Sequence, residues 1–293
     1  LVVRSYANIC GIPPLFTTAP KEETDYRLPK KINELLVAHY QASIGFSRSA
    51  HKALATIAGK APHNHGIFVG GVTTNFNVDM YSIAASILHD VTAFINDVMV
   101  PDVAILMEYY PEYLKWGQGN GNYLSYGYFA FLPEQFWVTK PGLMLDGVFH
   151  EVDPGLITES IRYSWLKAEE DLSRPLDEPP TLDFGKPGGY SWVEAPRYAG
   201  KAVETGAMAG LIVSGDYSGD TGALGRVMAR AIFTQMVCEK VRLMLEYVRM
   251  QPGYQEEWKV PNSGEGHALV GAMRGGLGHW VRIRNQKINR YTI

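Results

Sequence analysis

Four residues carry side chains suited to metal or electron-transfer chemistry: Cys10, His63, His65 and Arg274. A cysteine thiolate is a soft metal ligand, and imidazole binds several transition metals. An arginine is always charged, and a fixed guanidinium can polarise or steer a reacting group. These residue types are consistent with a metal-dependent redox site, but each of them also has an ordinary structural role.

The two histidines stand in Gly-Lys-Ala-Pro-His-Asn-His-Gly, which covers residues 59–66. A His-x-His pair binds a metal when both rings lie on one face of a strand, but one pair supplies only two ligands. Because no acidic residue is close in the sequence, a hydrogen-bonded turn is the favoured interpretation. Arg274, judged by its glycine-rich surroundings alone, also favours a structural role.

The composition limits the possible functions. The chain has 293 residues, 46% of them hydrophobic, and a net charge of -3, which is typical of a globular protein without a nucleic-acid-binding face. Its two cysteines, Cys10 and Cys238, are too few for a disulfide framework or an all-cysteine metal site. Cys238 lies at helical spacing within a long helix, so we expect it to be a buried small hydrophobic residue. No run of eighteen apolar residues is found, which predicts that the chain is not by itself integral to a membrane.

Hydrophobic spacing predicts several long helices. They cover residues 29–57 with a stop at Gly59, residues 78–99, residues 102–110 with Pro101 starting this new element, and residues 222–250. Residues 125–190 read as a β-rich insertion with a long irregular loop over 167–190, residues 264–278 as a glycine-rich turn, and residues 278–293 as a final strand. We therefore predict one α+β, mainly α domain over residues 1–293, a bundle of long helices with β-hairpin insertions.

Residues 51–74, which contain the histidine turn, resemble a signature of the large subunit of nickel–iron hydrogenases almost letter for letter. Further segments resemble the same family in the same order along the chain: residues 4–13, 108–115, 123–127, 191–200 and 264–280. The resemblance implies the fold of that subunit and the oxidation of dihydrogen or reduction of protons. It also implies a nickel–iron centre, and a small subunit with iron–sulfur clusters as the partner.

The resemblance also assigns roles to particular residues. Arg274 matches the arginine that overhangs the open position of the metal pair, which makes it the candidate catalytic residue. His63 and His65 match a segment near the metal and the cluster pathway, and are the candidate cofactor-binding residues. Cys10 matches a metal-binding cysteine, so the resemblance predicts that Arg274 and Cys10 lie near one site.

This sequence departs from the family pattern at several of these positions. Pro13 stands where the second cysteine of the first motif occurs, and Gly271 and Met273 stand where the arginine motif has glutamate and proline. Glu194 replaces a common lysine. Since Cys10 alone remains of four thiolates, we expect the 293 residues by themselves not to bind nickel. Two alternatives therefore stay open: a nickel-free scaffold serving electron transfer or a quinone site, as in the related subunit of respiratory complex I, and a purely structural subunit that holds an iron–sulfur partner.

Overall fold

The computed structural model describes residues 27–293, so Cys10 and Pro13 lie outside the described residues. The chain divides into two compact units. The helical unit contains residues up to Gln118 together with Gly219–Trp258, and the sheet unit contains Gly119–Ser218 and Lys259–Ile293. This division into compact units does not test the predicted single domain over residues 1–293, which stays a prediction.

The α-helices are α1 (Lys30–Ala58), α2 (Val78–Phe94), α3 (Val100–Tyr109), α4 (Ala207–Ser214) and α5 (Ala223–Tyr247). The strands of the helical unit are β1 (Ile67–Phe68), β2 (Gly71–Val72) and β11 (Tyr254–Gln255). The strands of the sheet unit are β3 (Tyr123–Tyr128), β4 (Thr139–Leu145), β5 (Val148–His150), β6 (Ile157–Ser160), β7 (Leu166–Lys167), β8 (Leu172–Ser173), β9 (Thr181–Leu182), β10 (Ala195–Tyr198), β12 (Ser263–Ala272), β13 (Gly275–Arg284) and β14 (Lys287–Thr292).

The first helix agrees closely with its predicted span. Helix α1 follows Pro29, whose fixed φ and missing N–H suit the residue before a helix. It ends at Gly59, which has a φ of 83°, a conformation that only glycine adopts without a steric penalty. The predicted stop at Gly59 is confirmed.

The prediction that Pro101 begins a new element is wrong. One helical run continues from α2 through a π-helical turn at Ile95–Met99 into α3. In that turn the Val100 N–H donates to the carbonyl of Ile95, one residue further back than in an α-helix. The wider turn and the place of Pro101 in the first turn of α3 accommodate the missing N–H and the bulk of the ring, so the helix does not break.

The helical unit is built around one core in which α1, the α2–α3 run and α5 meet. Its buried members are Leu36, Phe94, Ile95, Met99, Val103, Leu106, Tyr110, Leu224, Ala231 and Cys238. Burial raises the pKa of the Cys238 thiol, which keeps it protonated and unreactive. The predicted burial of Cys238 is therefore confirmed.

The run Val78–Tyr109 has 32 residues and a mean hydropathy of 1.4, enough by length and composition to cross a membrane. It is the one such helix among residues 27–293. A core helix of a soluble protein passes the same test, and this run supplies Phe94, Ile95 and Met99 to the core. The absence of a membrane span stays a prediction.

The β-structure of the chain differs most from the predicted architecture. The strands of the described chain form five small sheets, with orders β1-β2-β11, β10-β6-β8, β12-β13-β14, β3-β4-β5 and β7-β9. Long helices and hairpins are present as predicted, but strands occur well beyond the expected insertion over residues 125–190. Helix α4 was not predicted at all, because its eight residues give too short a periodic pattern.

The glycine-rich turn predicted over residues 264–278 is wrong. These residues form most of the β12–β13 hairpin, in which Ser263 pairs with Arg284 and Ala272 with Gly275. The final strand is in fact the end of β13 plus β14, joined by a turn at Asn285 and Gln286, both with positive φ. Glycine disfavours an isolated strand, but here it allows close packing against β3, as described below.

Candidate functional site

Arg274 occupies the tip of the β12–β13 hairpin, beside Met273. Both side chains are exposed. Within residues 27–293 the guanidinium of Arg274 has neither a hydrogen bond nor an ion pair. The tip therefore carries a permanent positive charge.

The tip packs tightly against the loop that precedes α4. A Cβ placed on Gly206 would lie 3.1 Å from the carbonyl oxygen of Arg274. A Cβ placed on Gly275 would lie 3.2 Å from the Thr205 Cβ and still closer to the Thr205 hydroxyl. Gly206 and Gly275 have φ values of 112° and 154°, which side-chain-bearing residues rarely adopt. Glycine is therefore required at both positions for this contact.

The opposite side of the hairpin packs on β3. A Cβ on Gly271 would meet the backbone of Gly127, lying 2.8 Å from its carbonyl carbon. A Cβ on Gly276 would lie 2.9 Å from Cε2 and 3.0 Å from Cδ2 of Tyr126. Glutamate, which the family pattern has in place of Gly271, would not fit this packing. The close approach of β3 thus explains why glycine stands at positions 271 and 276.

Tyr126 is the aromatic partner in this contact, and its hydroxyl is neutral. Burial, followed by the neighbouring Tyr198, raises the pKa of Tyr126 to about 12. Burial also raises the pKa of Tyr128, on the same strand. Both rings therefore act through shape and not through charge.

A charged cluster lies elsewhere in the sheet unit, around Glu159 on β6. Burial and, to a smaller extent, the negative charge of Glu194 raise the pKa of Glu159 to about 7, while Arg290 acts in the opposite direction. The Nε atom of Arg290 is buried without a hydrogen-bond partner among the described residues. Glu194 stands where the family commonly has lysine, so a neighbouring positive charge has been exchanged for a negative one.

The histidine turn belongs to the helical unit and follows α1. The N–H groups of His65 and Gly66 both donate to the carbonyl of Ala58 at 3.0 Å, and the Thr74 hydroxyl donates to Ile57 at 2.7 Å. Gly66 is buried, and a Cβ placed on it would lie only 3.2 Å from the Cα of Ala58, so the turn packs closely against the end of α1. The interpretation as a hydrogen-bonded turn agrees with this geometry.

Both imidazoles of the turn are exposed, and among residues 27–293 neither has a hydrogen-bond partner. The small sheet that continues from the turn is also unusually apolar on its surface. The exposed apolar residues in its strands and in the segments beside them are Ile67, Val69, Val72, Tyr254 and Trp258. We call the two histidines and these five residues the histidine surface. Contiguous exposed apolar side chains typically mark a protein contact.

The described residues do not supply a metal centre. Residues 27–293 contain no group of three or more His, Cys, Asp or Glu side chains placed to hold a metal ion. Their one cysteine, Cys238, is buried in a helix with a raised pKa. A nickel–iron centre needs soft thiolate ligands, so this donor set does not fit it. The predicted ligand Cys10, and with it the predicted proximity of Arg274 and Cys10, lies outside the described residues.

The arrangement of these elements matches known proteins. The family profile described as nickel-dependent hydrogenase matches residues 11–221 and 218–293. The chain belongs to the nickel-dependent hydrogenase family. The resemblance to the large subunit of these enzymes is confirmed by its relatives.

The hydrogenase-1 large chain of Escherichia coli (strain K12) is 27% identical over 336 residues, covering 91% of this chain and 56% of the relative. The periplasmic [NiFeSe] hydrogenase large subunit of Desulfomicrobium baculatum is 28% identical over 287 residues, covering 87% of this chain and 54% of the relative. The solved Ni-Fe-Se hydrogenase of D. vulgaris Hildenborough superposes with a TM-score of 0.88 at 25% identity, covering 99% of this chain and 68% of that chain. This hydrogenase-family chain thus spans about half the length of the curated relatives it matches.

Sequence reasoning named Arg274 and the two histidines as candidates, which stay predictions, but did not identify the residues that pack against the hairpin tip, namely Tyr126, Thr205 and Gly206. The signal for them was weak. Glycines within a strand are a sign of close approach by another backbone, but here they were interpreted as a turn, and they do not show which segment approaches.

Proposed function

We propose that this chain is the large subunit of a hydrogenase, which interconverts dihydrogen with two protons and two electrons. The observation that carries the proposal is the collinear family match over residues 11–293, on a fold shared with a solved hydrogenase. Arg274 occurs in the matched segment and presents an exposed side chain on a closely packed hairpin.

Arg274 is the candidate catalytic residue in this proposal. A guanidinium held in place before the reaction stabilises developing negative charge without the cost of reorganising solvent. Arginine side chains keep their positive charge in proteins. The role of Arg274 would therefore be to polarise and orient the reacting group, and not to accept a proton at neutral pH.

A nickel–iron centre, when bound, would supply the redox chemistry of dihydrogen. Because residues 27–293 do not fit such a centre, we propose Cys10 as one ligand and place the remaining ligands outside the described residues. The chain's own described residues contribute the arginine hairpin and the scaffold that holds it.

The histidine surface supports a proposal about the partner. Exposed aromatic and aliphatic side chains grouped around a rigid turn have the composition of an interface core. We propose that an iron–sulfur small subunit docks there, with His63 and His65 beside the electron path. Such an obligate interface buries at least about 2,000 Å².

A second candidate function is favoured by one observation. Pro13 occupies the position of a family cysteine and cannot coordinate a metal. A nickel-free scaffold that serves electron transfer within a redox complex would retain the fold and the partner but not the chemistry.

The two candidates are separated by elemental analysis and hydrogen uptake on the complex purified from its native source. The proposed function predicts nickel and iron in near-equal amounts, with uptake above background. Arg274→Lys should lower uptake by about a hundredfold or more while the nickel content stays unchanged. The matched control is Arg284→Lys, on an exposed residue of the same hairpin. A complex with neither metal nor uptake would support the nickel-free scaffold.

A further inference from the structure

We propose that Tyr126 is a positioning residue for Arg274. Its ring fills the space left open by Gly276 and so fixes the hairpin tip that carries the arginine. The inference rests on the proposed role of Arg274 and adds a residue that holds it.

The contact is close and lies near the arginine in sequence. Gly276 is two residues from Arg274 on the same hairpin, and Cε2 and Cδ2 of Tyr126 lie where a side chain on Gly276 would otherwise begin. Real Cβ atoms essentially never approach other atoms closer than 3.0 Å, and here one would lie at 2.9 Å. A side chain at position 276 would therefore force either the hairpin or the ring of Tyr126 to shift.

Tyr126 is itself held firmly. It lies in β3, where it pairs with Pro141 of β4, and its ring packs at the edge of a core formed by Leu124, Leu143, Ile157 and Tyr198. A partly buried aromatic ring on a paired strand has little freedom to move. The hairpin therefore packs against a ring that keeps its position.

The other side of the tip is held by a separate segment. Thr205 and Gly206 approach Gly275 and the carbonyl of Arg274, as described above. The backbone on either side of the arginine is thus confined between β3 and this loop, while the guanidinium is left unpaired among the described residues. Such confinement of the backbone is expected where a functional side chain has to be held in one position for its reacting group.

Gly276 and Tyr126 form a matched pair, because a side chain at position 276 would meet the ring. Here an alanine would displace either the hairpin or the ring. The large ring and the absent side chain compensate for each other, so removing the ring should make room for alanine.

The first test is hydrogen exchange followed by mass spectrometry on the full chain, comparing four variants with the unsubstituted protein. Gly276→Ala should speed exchange of amides at residues 270–277 by about tenfold, because the tip loses its fixed position. Tyr126→Val should also speed it. The double variant Gly276→Ala/Tyr126→Val should exchange more slowly than Gly276→Ala alone, since the methyl group occupies vacated space. Gly266→Ala is the matched control, because a Cβ there meets nothing within 4 Å.

Unchanged exchange in Gly276→Ala, or no recovery in the double variant, would overturn the proposal. The second readout is hydrogen uptake by the complex. Gly276→Ala should lower kcat about tenfold or more at unchanged nickel content, with partial recovery in the double variant. A mobile tip with full uptake would also overturn the positioning role. An unsubstituted complex without uptake counts against the proposed function, whereas the exchange result tests the contact between Tyr126 and Gly276 whether or not the complex takes up hydrogen.

Discussion

The Nδ1 atom of His39 lies 2.9 Å from Oδ2 and 3.0 Å from Oδ1 of Asp102, so that one imidazole N–H is shared by both carboxylate oxygens. His39 belongs to α1, and Asp102 belongs to the first turn of α3, directly after Pro101. Asp102 is only 2% exposed. The pair therefore joins two helices of the helical unit through a polar contact at the edge of their core.

The first prediction concerns this pair. Removing His39 leaves the buried carboxylate of Asp102 without its imidazole donor, so His39→Ala should lower the free energy of unfolding by about 2–3 kcal/mol. His51→Ala is the matched control, because His51 is exposed on the same helix and its one hydrogen bond within residues 27–293 is to the carbonyl of Ser47 in its own turn. Denaturant unfolding of both variants checks the prediction. Equal stability of the two would show that the His39–Asp102 contact contributes nothing.

The second prediction concerns the pH dependence of stability. The pKa of Glu159 is about 7 in the folded protein, above the ordinary value of 4.5, because of burial and the charge of Glu194. The folded state therefore holds this proton more tightly than the unfolded state. The stability that this gives is complete below about pH 4.5 and is lost as the pH rises through about 7.

Glu159→Gln should consequently be more stable than the unsubstituted protein at pH 8, by about 1 kcal/mol once the partial exposure of the carboxyl is allowed for. At pH 4 the two should be equal. Glu169→Gln, at an exposed position, is the control. Thermal unfolding across this pH range measures the difference, and a variant advantage that grows toward low pH would have the wrong sign.

The third prediction compares two glycines of the helical unit. A Cβ on Gly71 would overlap the carbonyl oxygen of Tyr254 and lie 2.8 Å from the Cα of Gln255, so Gly71→Ala should destabilise the sheet beneath the histidine surface by about 2 kcal/mol or more. Gly45, in the interior of α1, has nothing within 4 Å. Gly45→Ala should instead stabilise the chain by about 0.5–1 kcal/mol. Changes of the same sign in both variants would contradict the packing described here.

The fourth prediction tests the proposed partner surface. Ile67 is 65% exposed beside the histidine turn, so Ile67→Asp should abolish co-purification of an iron–sulfur subunit without unfolding the chain. Val148→Asp is the matched control, since Val148 is 57% exposed on β5 of the other unit. Pull-down from the native source with circular dichroism of each variant measures both effects. Undiminished co-purification of Ile67→Asp would place the interface elsewhere.

The sequence by itself determined the long helices and the family. The apolar spacing within α1 and α5, and the stop at Gly59, depend on neighbours a few residues apart, which a linear sequence displays directly. The motifs around His63 and Arg274 are likewise short and contiguous. The prediction at Pro101 was wrong because it too used only local information. Proline usually breaks a helix, but the π-helical turn that accommodates it here depends on the packing of the whole run.

Only the tertiary structure decided why glycines stand near Arg274. They allow close packing against the backbone and a tyrosine ring of β3 and against the loop at Thr205, which are remote in sequence and contribute no local pattern. The same is true of Asp102, whose imidazole partner lies on another helix, and of Glu159, whose pKa depends on Glu194 and Arg290. Helical periodicity reports short-range burial, whereas close packing and electrostatic pairing depend on distances in space that residue order does not contain.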